Sequence, residues 1–148
     1  MFHLLKVRVS GFKMLEDDFE IDFVAKARVY NSDEESEIIE IDKNLYTFNM
    51  FAFTGSNSSG KTSTLLLLNR IITLMGTGRW QYVPIEFSRD TINMHIEFYL
   101  DGQIYIYDSK ILKNSDPGLN ISSQFCRIID EVVKYSTYNP IVGKRYEE

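Results

Sequence analysis

The stretch with the clearest chemical meaning is TGSNSSGKT, residues 54–62, in which two glycines precede a lysine and a threonine. Its order satisfies the Walker A pattern, a glycine, four variable residues, then Gly-Lys-Thr or Gly-Lys-Ser. Glycines let successive backbone N–H groups point inward at phosphate oxygens, and the N-terminus of a following helix adds a favourable dipole. The lysine can reach the β- and γ-phosphates, and the threonine hydroxyl can ligate Mg²⁺. The stretch therefore predicts a site for a nucleoside triphosphate with Mg²⁺.

The predicted site comprises the whole loop and the first helical residues after it. Lys61 is the predicted catalytic residue because it reaches the reacting phosphates, and Thr62 is the predicted metal ligand. A glycine turn that bound nothing would have no need of the Lys-Thr pair. The residues expected to contact the nucleotide are Gly55, Ser56, Asn57, Ser58, Ser59, Gly60, Lys61, Thr62 and Ser63.

This pattern requires a strand before the loop and a helix after it. LYTFNMFAF, residues 45–53, is apolar on both faces, which predicts a central strand covered on both sides. From Lys61 onward the apolar residues wrap most of the way round a helix, which predicts that this helix is largely buried. GTG at 76–78 is expected to end it.

The other segments are typical of antiparallel strands. Residues 5–10 and 19–23 alternate between apolar and polar side chains and predict a pair, and residues 37–41 predict a short strand. Asp101-Gly102 between two alternating runs predicts a hairpin with Phe98 opposite Tyr105 and Ile96 opposite Tyr107. The β-branched residues after Phe125 favour a final strand over a helix.

Composition bounds the class of protein. A chain of 148 residues with 44% hydrophobic residues suits one packed domain. The net charge of −5 argues against a dedicated DNA-binding domain, although a local basic face for DNA stays open. A single cysteine excludes an internal disulfide and fits a reducing compartment. No stretch approaches the roughly 18 apolar residues of a membrane helix, so we expect a soluble, cytoplasmic protein without membrane partners.

The variable positions of the loop narrow the family. GSNSSGKT has Asn57 in its third position and Ser59 before the second glycine. This form resembles ABC-type ATPase heads of the SMC and RecF group, and especially their single-chain relatives, the AAA-type and OLD-like ATP-binding proteins of bacteria and phages. LLKVRVSGFKMLEDDFEIDF is similar to the opening hairpin of those families. HIEFYLDGQIYIYDSKI and RIIDEVVKY resemble the hairpin and the strand that follow their first helix.

The resemblance implies an α/β fold, in which residues 1–148 form the N-terminal lobe of a P-loop NTPase and end before the Walker B strand. An antiparallel β-subdomain would pack on a central strand–P-loop–helix unit. The resemblance also implies that Lys13, at the corner between the first two strands, contacts a phosphate or the ribose.

The same resemblance implies binding of ATP and Mg²⁺ and an ATPase that is completed by a missing C-terminal lobe. Two heads would form a homodimer around the nucleotides, with a nuclease or toxin effector as a further partner. Antiviral defence ranks first among the roles, ahead of DNA repair. The family's Mg²⁺-sensing glutamine has three candidates here, Gln81, Gln103 and Gln124.

Two alternatives stay open from the residues. In CRIIDEV, Asp130 follows apolar residues as a Walker B aspartate would, although Arg127 interrupts the run. The chain would then be a complete small P-loop kinase or NTPase with Asp130 as its metal ligand. Alternatively, nucleotide binding without hydrolysis would control assembly with a partner.

Overall fold

The computed structural model describes residues 1–26, 37–56, 60–80, 86–114 and 125–139. Within these ranges the chain forms a five-stranded sheet, a separate two-stranded sheet and one helix. The strands are β1 (Phe2–Ser10), β2 (Phe19–Asp22), β3 (Ile38–Asp42), β4 (Leu45–Phe48), β5 (Thr91–Leu100), β6 (Gln103–Asn114) and β7 (Phe125–Thr137), and the helix is α1 (Lys61–Thr77).

The large sheet is antiparallel throughout, with the strand order β2-β1-β5-β6-β7. The Asp101-Gly102 turn sets the predicted register, with Phe98 opposite Tyr105 and Ile96 opposite Tyr107, so that prediction is confirmed. The predicted pairing of β1 with β2, the short strand β3 and the strand character of β7 are confirmed as well.

Helix α1 packs on one face of this sheet, which we call the helix face. Apolar side chains of α1, among them Leu67 and Ile71, form one buried cluster with side chains of β1, β5 and β6, among them Val9, Ile96 and Ile111. All five of these residues are at most 1% exposed. Burial of this apolar area is the main stabilising contribution to the fold.

The β3–β4 hairpin packs on the opposite face of the sheet. Leu45 lies with Leu5, Tyr99 and Ile104 in a second, smaller buried cluster. The hydroxyl of Tyr99 donates to Asp42 Oδ2 at 2.6 Å, which ties the hairpin to β5. The hairpin covers only one end of this face, and the other end is a polar groove described below.

The predicted central strand over residues 45–53 is wrong, because strand structure ends at Phe48 and residues 49–53 are not in a strand. Met50 is 82% exposed, and Phe51 packs edge-on against Phe23 and Phe48 at the surface. Apolar residues on both faces favour a covered strand only where neighbouring strands are present. In the described part of the chain, β4 pairs with β3, and Thr47 forms an isolated bridge with Val24.

The prediction for α1 is confirmed in its bounds and wrong in its burial. The helix ends at Thr77, followed by Gly78 in the left-handed conformation (φ 66°), whose N–H bonds Leu74 O. Leu65 and Ile72 are 57% and 66% exposed, since only one side of the helix contacts the sheet. The described chain is thus mainly antiparallel sheet with a single helix, and the P-loop NTPase lobe stays a prediction. No helix among the described residues is long and apolar enough to cross a membrane.

Candidate functional site

Helix α1 begins directly after Gly60, the second glycine of the predicted loop. Gly60 precedes the helix in the left-handed conformation (φ 87°), and Thr64 N donates to Gly60 O at 2.8 Å as the first helical hydrogen bond. The N–H groups of Lys61, Thr62 and Ser63 therefore have no acceptor within the helix. Among the described residues no side chain caps this end, and the first turn holds no acidic residue that would neutralise the positive end of the helix dipole.

Lys61 is folded back over the loop that precedes it. Its Nζ donates to Gly55 O at 2.7 Å and to Ser56 O at 2.6 Å, while its side chain stays half-buried. This places the ammonium group over the loop, beside the N-terminus of α1. An ammonium group and the N–H groups that begin a helix are both kinds of donor that bind phosphate in proteins.

The other predicted residues of the loop divide into three groups. Gly55, Ser56 and Thr62 are exposed, so the Thr62 hydroxyl is accessible to a metal ion. The side chain of Ser63 is 3% exposed, which leaves its backbone N–H as the group able to contact a phosphate. Residues 57–59 lie outside the described part of the chain.

The corner between β1 and β2 contacts the start of α1. A Cβ added at Gly60 would lie 3.4 Å from Cδ2 of Leu15. Lys13 is in the same corner, in the left-handed conformation (φ 48°), with its N–H bonded to Glu86 O at 2.7 Å. The structure thus brings the corner that holds Lys13 next to the loop, although no hydrogen bond fixes the Lys13 ammonium there among the described residues.

Asp130 is not brought to this site. It lies opposite Lys110 on the face of the sheet away from α1, which we call the groove face. The sheet therefore separates the Asp130 carboxylate from Lys61 and Thr62. Of the three candidate glutamines, Gln103 begins β6 and accepts a hydrogen bond from the Tyr105 hydroxyl at 2.6 Å, whereas Gln81 and Gln124 lie outside the described residues.

A polar groove of about 310 Å³ occupies the face opposite α1. At its floor the His95 ring is held between two carboxylates, with Nδ1 2.7 Å from Asp108 and Nε2 3.4 Å from Glu97. The hydrogen bonds to Glu97 and to Asp108 raise the pKa of His95 above its ordinary value, against the effect of partial burial. Sequence reasoning missed this cluster, although the Asp-Gly turn register that pairs Ile96 with Tyr107 also places His95 opposite Asp108.

Charged groups of both signs surround this groove. Arg8 lies opposite His95 on β1 and is paired with Glu20 at 2.7 Å, and Lys110 and Asp130 face each other across β6 and β7. Groups of both charges therefore line the groove, with Asp18, Asp108 and Asp130 beside Arg8 and Lys110. No group of three or more His, Cys, Asp or Glu side chains in the described ranges could hold a metal ion.

Replacing His95 with glutamine is expected to weaken the pH dependence of folding stability. Because the folded-state pKa of His95 is raised, its contribution is complete below the ordinary histidine pKa and is lost as pH rises through the raised value. Urea midpoints from mildly acidic to mildly alkaline pH should fall for the unsubstituted chain and fall less for His95→Gln. His3→Gln is the control, since burial lowers the pKa of His3 and its contribution has the opposite sign. Parallel curves for the unsubstituted chain and His95→Gln would contradict the assignment.

Searches with protein-family models and against curated protein sequences found no match to this chain. The functional assignment accordingly rests on the loop sequence and on the geometry at the start of α1.

Proposed function

We propose that this chain binds Mg-ATP at the loop formed by residues 55–63 and belongs to a P-loop ATPase of the ABC-type, OLD-like group. The observation that carries the proposal is the position of Lys61, whose ammonium lies 2.7 and 2.6 Å from two loop carbonyls beside the N-terminus of α1. In a complete Walker A sequence, this is the arrangement that a triphosphate needs.

The chain's own residues have separate tasks in this proposal. Lys61 would exchange its loop carbonyls for phosphate oxygens, and the N–H groups of residues 61–63 would donate to the same anion. The Thr62 hydroxyl would hold Mg²⁺, which supplies the charge neutralisation of the phosphates when bound. Gly60 allows the sharp entry into the helix at positive φ, and Leu15 packs beside Gly60.

Replacing Lys61 with alanine is expected to weaken Mg-ATP binding by about 10- to 100-fold, because a charge-assisted hydrogen bond is worth about 1.5–3 kcal/mol. Isothermal titration of the purified chain with Mg-ATP measures this loss directly. Lys43→Ala removes an exposed lysine from the β3–β4 turn and should leave the affinity unchanged. Equal affinities for Lys61→Ala and the unsubstituted chain would overturn the proposal.

Two further titrations separate the parts of the site. Thr62→Val should reduce the gain in affinity that Mg²⁺ gives, because the valine side chain has no hydroxyl. Lys13→Ala should lower the affinity if the corner residue contacts the nucleotide, as the resemblance implies. An unchanged affinity for Lys13→Ala would restrict the site to the loop itself.

Asp130 lies across the sheet from α1, so hydrolysis would require a metal-binding carboxylate that the described residues do not bring to Lys61. The proposal therefore includes a C-terminal lobe and pairing of two heads, with control of a nuclease or toxin effector in antiviral defence or DNA repair, in the cytoplasm. Phosphate release by this chain alone that is lost in Asp130→Asn would instead support a complete small kinase or NTPase. Tight binding without turnover, even with the rest of the head present, would support a nucleotide-gated interaction module.

A further inference from the structure

Strand β7 is one edge of the five-stranded sheet. It pairs with β6 from Gln103 opposite Thr137 to Asn114 opposite Phe125, and no other described strand pairs with its outer edge. The strand is 13 residues long. A long edge with free N–H and C=O groups is a template for pairing with another strand, and natural proteins protect such edges or use them.

Several apolar side chains of β7 are exposed. Val132, Val133 and Tyr135 are 43%, 55% and 68% exposed. Alternate residues point to opposite faces, so Val132 lies on the groove face and Val133 and Tyr135 lie on the helix face. Both faces therefore present apolar surface next to an edge that no described strand pairs with, which favours an interaction site over a solvated edge.

The charged side chains of β7 differ in whether the sheet already holds them. Glu131 accepts a hydrogen bond from the Tyr107 hydroxyl at 2.6 Å on the helix face, and is thereby held within the sheet. Asp130 and Lys134 are exposed, and neither forms an ion pair with any residue in the described ranges. Both lie on the groove face together with Val132.

This spacing makes β7 complementary to itself. When two copies of one strand pair antiparallel about a two-fold axis, the residue at the axis lies opposite the same residue of the second copy. A residue at a given distance before it then lies opposite the residue at the same distance after it in the second copy. An axis at Val132 places Asp130 opposite Lys134 of the second copy, and this pair occurs twice. An axis at Asp130 or at Glu131 would place like charges opposite each other, which is destabilising.

The backbone irregularity in β7 favours the same register. The pairing of β6 with β7 shifts between Lys110 and Ile111, so the regular part of β7 runs from Asp130 to the end of the strand. An axis at Val132 lies in that regular part. This register also places opposite charges next to each other on the groove face. Asp130 would lie between Lys110 of its own chain and Lys134 of the second copy.

We propose that the chain forms a homodimer in which β7 pairs antiparallel with β7 of a second copy, centred on Val132, to give one continuous sheet. This interface is distinct from pairing of two heads around nucleotides. It lies at the edge of the sheet opposite β2, whereas the corner between β1 and β2 contacts the start of α1, and it needs no ligand. It stands whether or not the chain binds Mg-ATP.

Light scattering after size-exclusion chromatography, without nucleotide, tests the interface. The unsubstituted chain is expected to have the mass of a dimer. Asp130→Lys would place two lysines opposite each other and should give a monomer, and the charge-swapped variant Asp130→Lys/Lys134→Asp should restore the dimer. A monomeric unsubstituted chain, or a dimer that Asp130→Lys leaves intact, would overturn the proposal. Because the charge-swapped variant must recover, misfolding cannot produce the expected pattern.

Disulfide formation tests the register. In a Cys126→Ser background, Val132→Cys places two thiols opposite each other at about 4.5–5.5 Å between Cα atoms, within the range that a disulfide spans. Val133→Cys is the matched control, since its two copies would be displaced by two residues along the strand and lie beyond the roughly 7 Å limit. A covalent dimer of Val132→Cys alone is the expected result on non-reducing gels. Equal cross-linking of both variants, or of Val133→Cys alone, would contradict this register.

Discussion

Replacing Glu86 with alanine is expected to destabilise the fold by about 3–5 kcal/mol. The Glu86 side chain is 2% exposed, and the Arg70 side chain, on α1, is 12% exposed. Arg70 Nε and Nη2 donate to the carboxylate at 2.9 and 2.7 Å. Removing Glu86 takes these hydrogen bonds from a guanidinium that is only 12% exposed, and breaking this buried pair is the main cost. Since domains are stable by about 5–15 kcal/mol in total, the loss is large.

Urea unfolding of Glu86→Ala and of Glu20→Ala gives a matched comparison. Glu20 pairs with Arg8 at 2.7 Å on an exposed surface, and its removal should cost less than about 1 kcal/mol. The variant Arg70→Met/Glu86→Leu should recover much of the stability, because an apolar pair of similar size leaves no buried charge. Equal losses for Glu86→Ala and Glu20→Ala would show that the buried pair contributes no more than an exposed one.

Replacing Gly11 with alanine is expected to cost about 3 kcal/mol or more. Gly11 has a φ of 80°, in the left-handed region, where a side chain costs about 1–2 kcal/mol. A Cβ on Gly11 would also lie 2.2 Å from the backbone oxygen of Thr91, so β1 and β5 would have to move apart at this point. The unfavourable φ and the close contact with Thr91 both act at the corner that positions Lys13.

Gly76→Ala is the matched control for Gly11→Ala, because it adds the same methyl group in α1 with nothing within 4 Å of the new atom. It should stabilise the chain by about 0.5–1 kcal/mol, since alanine is the better helix residue. Thermal unfolding of the two variants should therefore shift in opposite directions. A loss in Gly11→Ala no larger than about 1 kcal/mol would mean that the corner relaxes without strain.

Both effects bear on the proposed site. Glu86 O accepts the N–H of Lys13, and Gly11 O accepts the N–H of Ser88, so this region holds the corner that contacts Gly60 through Leu15. Variants that loosen the corner are therefore expected to weaken Mg-ATP binding even where Lys61 is intact.

Local sequence determined the β5–β6 turn and the two ends of α1. The Asp101-Gly102 turn has a backbone twist that fits a two-residue hairpin, and it therefore set the register of β5 on β6, including the pair of His95 with Asp108. The glycines at 60 and 78 take the left-handed conformation that few other residues adopt, and they bound α1. The chemistry predicted for the loop likewise follows from residue types at fixed spacing.

Tertiary structure decided which surfaces are covered and which residues meet. The run at 45–53 is apolar on both faces, yet its exposure depends on whether other strands lie beside it, which no local pattern specifies. The pairing of Arg70 with Glu86 and the contact of Leu15 with the start of α1 join segments that come together only when the sheet and helix pack. Asp130 follows apolar residues as a metal-binding aspartate would, but the alternation of side chains along β7 turns it to the face away from α1. The order of strands in the sheet places β7 at an edge of the described sheet. This order could not be predicted from β7 itself, because the composition of a strand does not specify which strands lie beside it.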